Sequence, residues 1–127
     1  VLNWNKTFYI NDAHGKRLAK IKKLIVTVKE KMEIRTPDGE QLAEVTKDLI
    51  TPLKEHFVIN VKNGPDLDVL GNILDYEYKI GDGQNTVAEV SKKFLHVRDS
   101  YSILVKPGQD DLIILTVVLC IDAMTHN

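Results

Sequence analysis

Four histidines, one cysteine and a few clustered carboxylates are the residues of this 127-residue chain with the chemistry to act on a substrate. His14, His56, His96 and His126 form no His-Glu-x-x-His or other metal-ligand spacing. His14 falls in a turn-forming stretch and His126 in the tail, where a solvated imidazole is the simpler reading. His96 sits in the loop Phe94-Leu95-His96-Val97-Arg98-Asp99, where it can meet Asp99 or a ligand, or make a structural hydrogen bond. Cys120 lies in an apolar run, where a thiol behaves as a small hydrophobe of raised pKa rather than as a nucleophile. A lone cysteine can form neither an internal disulfide nor a cysteine-based zinc cage, which excludes a stapled secreted scaffold. Asp66, Asp68, Asp75 and Glu77 cluster in sequence. Acids near strand ends are usually solvated, so they are not read as a glycosidase pair. Gly81-Asp82-Gly83 reads as a turn, and no Gly-x-Ser-x-Gly, Walker or Rossmann glycine pattern occurs. These residues imply no cofactor, no metal and no enzyme; the rival reading is a hydrolase-type enzyme using His96 and the nearby carboxylates.

Basic pairs are the lead towards a ligand. They are Lys16-Arg17, Lys20 with Lys22-Lys23, and Lys92-Lys93 with Arg98. Phosphate binding needs several cations on one spot. The candidate ligand-binding residues are therefore Lys22, Lys23, Lys92, Lys93 and Arg98. The plainer reading is that outward lysines protect strands from aggregation. Lys and Arg number 17 against 18 Asp and Glu, a net charge of −1 that argues against nucleic acid as a partner.

An internal repeat shows what must position these groups. Phe8-Tyr9-Ile10 is matched by Met32-Glu33-Ile34, and in the same register Gly15 by Gly39, Leu18-Ala19 by Leu42-Ala43, Ile21 by Val45 and Lys23 by Lys47. A looser third copy runs from Tyr76-Glu77-Tyr78-Lys79-Ile80 through Gly81-Asp82-Gly83 to Val87-Ala88-Glu89-Val90-Ser91-Lys92. Each copy reads as a β-hairpin with Asx and Gly turn chemistry. Alternation fails at Leu18, which predicts a bulge or strand edge there. Further strands are expected at Leu24 to Val28, Phe57 to Val61, Leu67 to Leu70 and Tyr101 to Val105, about nine or ten in all, as in an all-β barrel or sandwich. The composition, 43% hydrophobic and 28% charged, is that of one globular domain, 1–127, with no long linker.

Leu112 to Ile121 sets local rules against each other. Six β-branched residues favour a strand. Length favours a helix, as does the start signal Pro107-Gly108-Gln109-Asp110-Asp111. Both readings stay open on these residues alone. As a helix the run spans about 15 Å, half of the roughly 30 Å of a hydrocarbon core, so no transmembrane segment is expected. Val1 to Ile10 lacks the basic head and apolar run of a signal peptide.

The stretch Val87 to Phe94, then Arg98-Asp99-Ser100-Tyr101, then Asp110 to Leu115 and Val117 to Asp122 resembles the C-terminal half of the LURP-one-related family, in its bacterial YxjI-type branch. Leu70 to Tyr78 is similar to that family's Gly-x-aromatic-Leu-Asp-x-x-Tyr stretch, and Gly15 and Gly39 fit its hairpin turns. The resemblance implies kinship with Tubby C-terminal domains and phospholipid scramblases. It implies a closed or nearly closed antiparallel β-barrel around a buried hydrophobic C-terminal helix, Leu112 to Met124, covered on every side. Family members begin with a further module before the point matched by Val1 to Ile10. Either that module lies outside this sequence or a neighbouring chain completes the barrel; the open-barrel alternative predicts a homodimer through the uncovered edge. The function implied is a non-enzymatic binding or scaffold domain for anionic phospholipid headgroups or a protein partner, cytoplasmic and at most peripheral to the membrane; the alternatives are the hydrolase-type enzyme above or a self-associating structural module.

Overall fold

The structure is a computed structural model that describes residues 6–26, 29–51, 54–92 and 101–125. Nine strands form one antiparallel sheet whose spatial order equals the sequence order. They are β1 (Lys6–Asn11), β2 (Arg17–Val26), β3 (Lys29–Arg35), β4 (Gln41–Thr51), β5 (Lys54–Val61), β6 (Leu67–Asn72), β7 (Glu77–Gly81), β8 (Thr86–Ser91) and β9 (Ser102–Val105). One helix, α1 (Asp111–Thr125), follows.

The repeat is realised as one hairpin built three times. In the first two copies the residue opening the turn accepts with its side chain from the amide four positions on: Lys16 N donates to Asp12 Oδ1 at 2.9 Å, and Glu40 N to Thr36 Oγ1 at 3.0 Å. The third turn is one residue shorter, and Asp82 Oδ1 takes the amides of Gln84 and Asn85 instead. Those two amides, that of Asn85 first, hold the exposed Asp82 carboxyl below its ordinary pKa. After each turn the return strand skips one partner. Ile10 pairs with Ala19 and Asn11 with Arg17, Ile34 with Ala43 and Arg35 with Gln41, Ile80 with Ala88 and Gly81 with Thr86. The skipped residues are Leu18, Leu42 and Val87, so the bulge expected at Leu18 is present and recurs in every copy. The alanine after each bulge is buried. A bulge re-aims the strand and adds twist, so three equivalent bulges bend three hairpins alike.

The sheet curls round α1, which touches β2, β3 and β4 on one side and β9 on the other. Asp110 starts the helix by accepting the amides of Leu112 at 3.0 Å and Ile113 at 3.2 Å. β-Branched residues lower helix propensity by tenths of a kcal/mol each. Burying Ile114, Val117, Val118 and Ile121 returns about 1.5–3 kcal/mol apiece, so burial outweighs propensity. Those side chains close one core with Met32, Ile34, Val45, Phe57, Ile59, Ile80 and Val90.

Two expectations need restating. A barrel closes only when its first and last strands pair, and among the described residues β1 pairs only with β2 and β9 only with β8. Among the described residues the sheet is not closed, so the closed or nearly closed barrel is not confirmed. Nor is α1 covered on every side: Leu115 is 40% exposed, and Leu112 and Leu119, on the same face, are half-buried.

Candidate functional site

Strand alternation decides which cations share a face. Ala19 and Ile21 point to the helix, so Lys20 and Lys22 point outward and Lys23 inward. Arg17, across from Asn11, lies on the outer face with its guanidinium over the exposed Tyr9 ring, 3.6 Å from the centroid. Lys20 stands between Tyr9 and Arg35, and Lys22 between Thr7 and Glu33. Glu33 is engaged elsewhere, accepting Arg35 Nε at 2.7 Å, and Glu44 pairs with Lys31 at 3.4 Å. Among the described residues no carboxylate lies within ion-pair distance of Arg17, Lys20 or Lys22. The outer face of β2 is therefore a row of three uncompensated cations beside a half-exposed aromatic ring.

Of the five cations singled out in the sequence, Lys22 alone lies in this row. Lys23 is half-buried on the helix side across from Met32. Lys92 is exposed, with Nζ 4.8 Å from the centroid of Tyr76. Lys93 and Arg98 lie outside the described residues, as do His96 and its neighbour Asp99 and the tail histidine His126. His56 stands across from Asp48 on the outer face, and His14 is exposed in the first turn. Among the described residues no group of three or more His, Cys, Asp or Glu is placed to hold a metal ion. No described helix is long and apolar enough to cross a membrane.

A second constellation joins the far end of α1 to the sheet. The Tyr76 hydroxyl donates to Asp122 Oδ1 at 2.9 Å, and its ring stacks on Tyr101 with centroids 4.7 Å apart. Tyr76 has φ +56°, the left-handed region that a bulky side chain seldom enters. The turn holds it there: Asp75 N donates to Asn72 Oδ1, Asn72 Nδ2 to Asp75 Oδ2, and Tyr76 N to the Ile73 carbonyl. Burial first, and the charge of Asp122 second, push the Tyr101 phenol above its ordinary pKa. Tyr78, buried beneath, is raised by burial and then by Tyr101, Asp122 and Tyr76. Both phenols therefore stay protonated at neutral pH. Burial likewise pushes the Cys120 thiol up to about 12, which leaves it protonated and inert. On the same face Lys47 donates from Nζ to the Met124 carbonyl at 2.9 Å, supplying the cation that the last turn of α1 lacks. Lys23, Lys47 and Lys92 thus end equivalent repeat copies, but Lys47 is spent on the helix terminus.

Sequence reasoning named Arg17 and Lys20 among the basic pairs but not among the candidate ligand residues; the bulge at Leu18 is what turns Arg17 to the same face as Lys20 and Lys22. It passed over Tyr76 because its partner Asp122 is 46 residues away. The positive φ of a tyrosine has no signature in composition.

Comparison with known proteins shows the family. The sequence model of the LURP-one-related family matches residues 1–122. The chain is 30% identical over 118 residues to the uncharacterized protein YxjI of Bacillus subtilis (strain 168), covering 93% of this chain and 70% of the relative. No solved structure matches it. A match across nearly the whole length, on a chain whose hairpins, bulges and terminal helix follow in the expected order, places this protein in the LURP-one-related family.

Proposed function

We propose that the domain is a non-enzymatic binding module that docks weakly on anionic phospholipid headgroups through the outer face of β2. The observation that carries this reading is the row Arg17, Lys20 and Lys22, which no acid neutralises among the described residues, while neighbouring Lys31 and Arg35 are matched by Glu44 and Glu33. Tyr9, beneath Arg17, is 45% exposed. An aromatic ring with a polar tip beside cations suits a headgroup layer. A basic side chain near an anionic surface contributes about 1 kcal/mol, so three give roughly a hundredfold in partitioning. Kinship with Tubby-type domains, which the resemblance implies, agrees with a lipid surface as the partner. The inert thiol and neutral phenols support a role without catalysis.

Vesicle cosedimentation tests the reading. Vesicles carrying phosphoinositide should retain the protein and neutral vesicles should not, with retention falling as salt rises. The triple variant Arg17→Gln, Lys20→Gln, Lys22→Gln should behave alike on both. Equal binding of the unaltered chain to neutral and anionic vesicles overturns the proposal.

A further inference from the structure

The opposite part of the sheet presents a different surface. On the outer face of β6 to β9, Leu70 pairs across to Lys79, Lys79 to Glu89 and Glu89 to Leu104, one residue from each strand in a straight row. Leu70 is 68% and Leu104 63% exposed. Lys79 and Glu89 are adjacent, yet no ion pair joins them, and neither has another charged partner among the described residues. The next row on this face is polar. Glu77 accepts Ser91 Oγ at 3.0 Å and Lys92 N at 3.1 Å, and Ser102 Oγ donates to the Ser91 carbonyl. Beside the leucine end lies a shallow depression of about 370 Å³ lined by Leu70, Glu77, Lys79 and Glu89 among others. Two exposed leucines thus flank an adjacent lysine and glutamate, beside a row of hydrogen-bonded polar groups.

We propose that this row is a docking surface for a second copy of the same chain. The sequence of the row, Leu-Lys-Glu-Leu, is complementary to itself. A two-fold axis running along the strands between β7 and β8 sets Leu70 against Leu104 of the other copy and Lys79 against its Glu89, twice over. The alternative two-fold, along the row, sets lysine on lysine and glutamate on glutamate and is disfavoured by charge. One symmetric arrangement is therefore selected, with the strands of the two sheets aligned as in ordinary face-to-face packing. The row has no net charge, so it does not fit the anionic surface proposed for β2. It also differs from pairing through the strand edges, because it uses side chains of one face and leaves the edge amides of β1 and β9 untouched. The sheet is convex on its outer side, so the contact is small and the dimer weak.

Sedimentation equilibrium on the whole chain over a concentration series tests this. The expected result is a reversible dimer populated below about 1 mM. Lys79→Glu and Glu89→Lys should each weaken it by about tenfold or more, since every substitution enters the interface twice. The double variant Lys79→Glu/Glu89→Lys should recover the dimer, because exchanging the charges restores both pairs. Circular dichroism should show each variant folded like the unaltered chain, as expected of substitutions on the outer face of the sheet. A monomer at every concentration overturns the proposal. So does a dimer indifferent to both single changes, which places the contact elsewhere on the molecule.

Discussion

The hydroxyl of Tyr76, at the β6–β7 turn, donates to the carboxylate of Asp122 in the penultimate turn of α1 at 2.9 Å. This bond ties the terminal helix to the third hairpin and is made by a residue in the left-handed region. A tyrosine there carries a conformational cost of roughly 1–2 kcal/mol, which the bond to Asp122 and the stack on Tyr101 offset.

Tyr76→Phe keeps the stack and removes the donor. Loss of a hydrogen bond to a charged acceptor should lower stability by about 1.5–3 kcal/mol, read as a lower urea midpoint with an unchanged slope. A midpoint equal to that of the unaltered chain shows that Asp122 is satisfied without Tyr76.

Lys47→Met removes the cation at the Met124 carbonyl but keeps the aliphatic stem. The expected loss is about 1–2 kcal/mol, from an unanswered carbonyl and a helix terminus without its compensating charge. Thermal unfolding checks it; Lys47→Arg should lose less than Lys47→Met.

The three bulge alanines, Ala19, Ala43 and Ala88, are all buried against the core. Replacing any one by leucine overpacks an equivalent site and should cost about 1–3 kcal/mol. Comparable losses at Ala19 and Ala43, measured by denaturant unfolding, are the expected outcome; a loss at one only shows that the copies are not packed alike.

Cys120 gives a pH dependence of defined sign. Its folded pKa is raised to about 12 against an ordinary value of 9.0. The unfolded chain therefore releases the thiol proton first, and the contribution is fully present below pH 9 and lost as pH rises towards 12. Stability should fall over that window, less steeply in Cys120→Ala, and the thiol should react with an alkylating reagent only at the rate of unfolding.

Elements that answer to neighbours a few residues away were legible in the sequence. The three turns follow from Asp12, Thr36 and Asp82 bonding amides two to four positions on, and the bulge at Leu18 from a broken alternation. The helix start follows from Asp110 and two nearby amides. The period of two puts Lys22 and Lys23 on opposite faces, so the candidate site that grouped them does not hold together. What the tertiary structure alone decided depends on residues far apart in the chain. Burial on the curled sheet, not propensity, makes residues 111–125 a helix. Which face of α1 is the less buried, that of Leu112, Leu115 and Leu119, is likewise set by how the sheet wraps it. The Tyr76–Asp122 bond spans 46 positions, and the Leu70–Lys79–Glu89–Leu104 row exists only once three strand registers are set. Local hydrogen bonds and side-chain alternation are written in adjacent residues, whereas register, sheet closure and contact between distant groups are settled by the free energy of packing the whole chain.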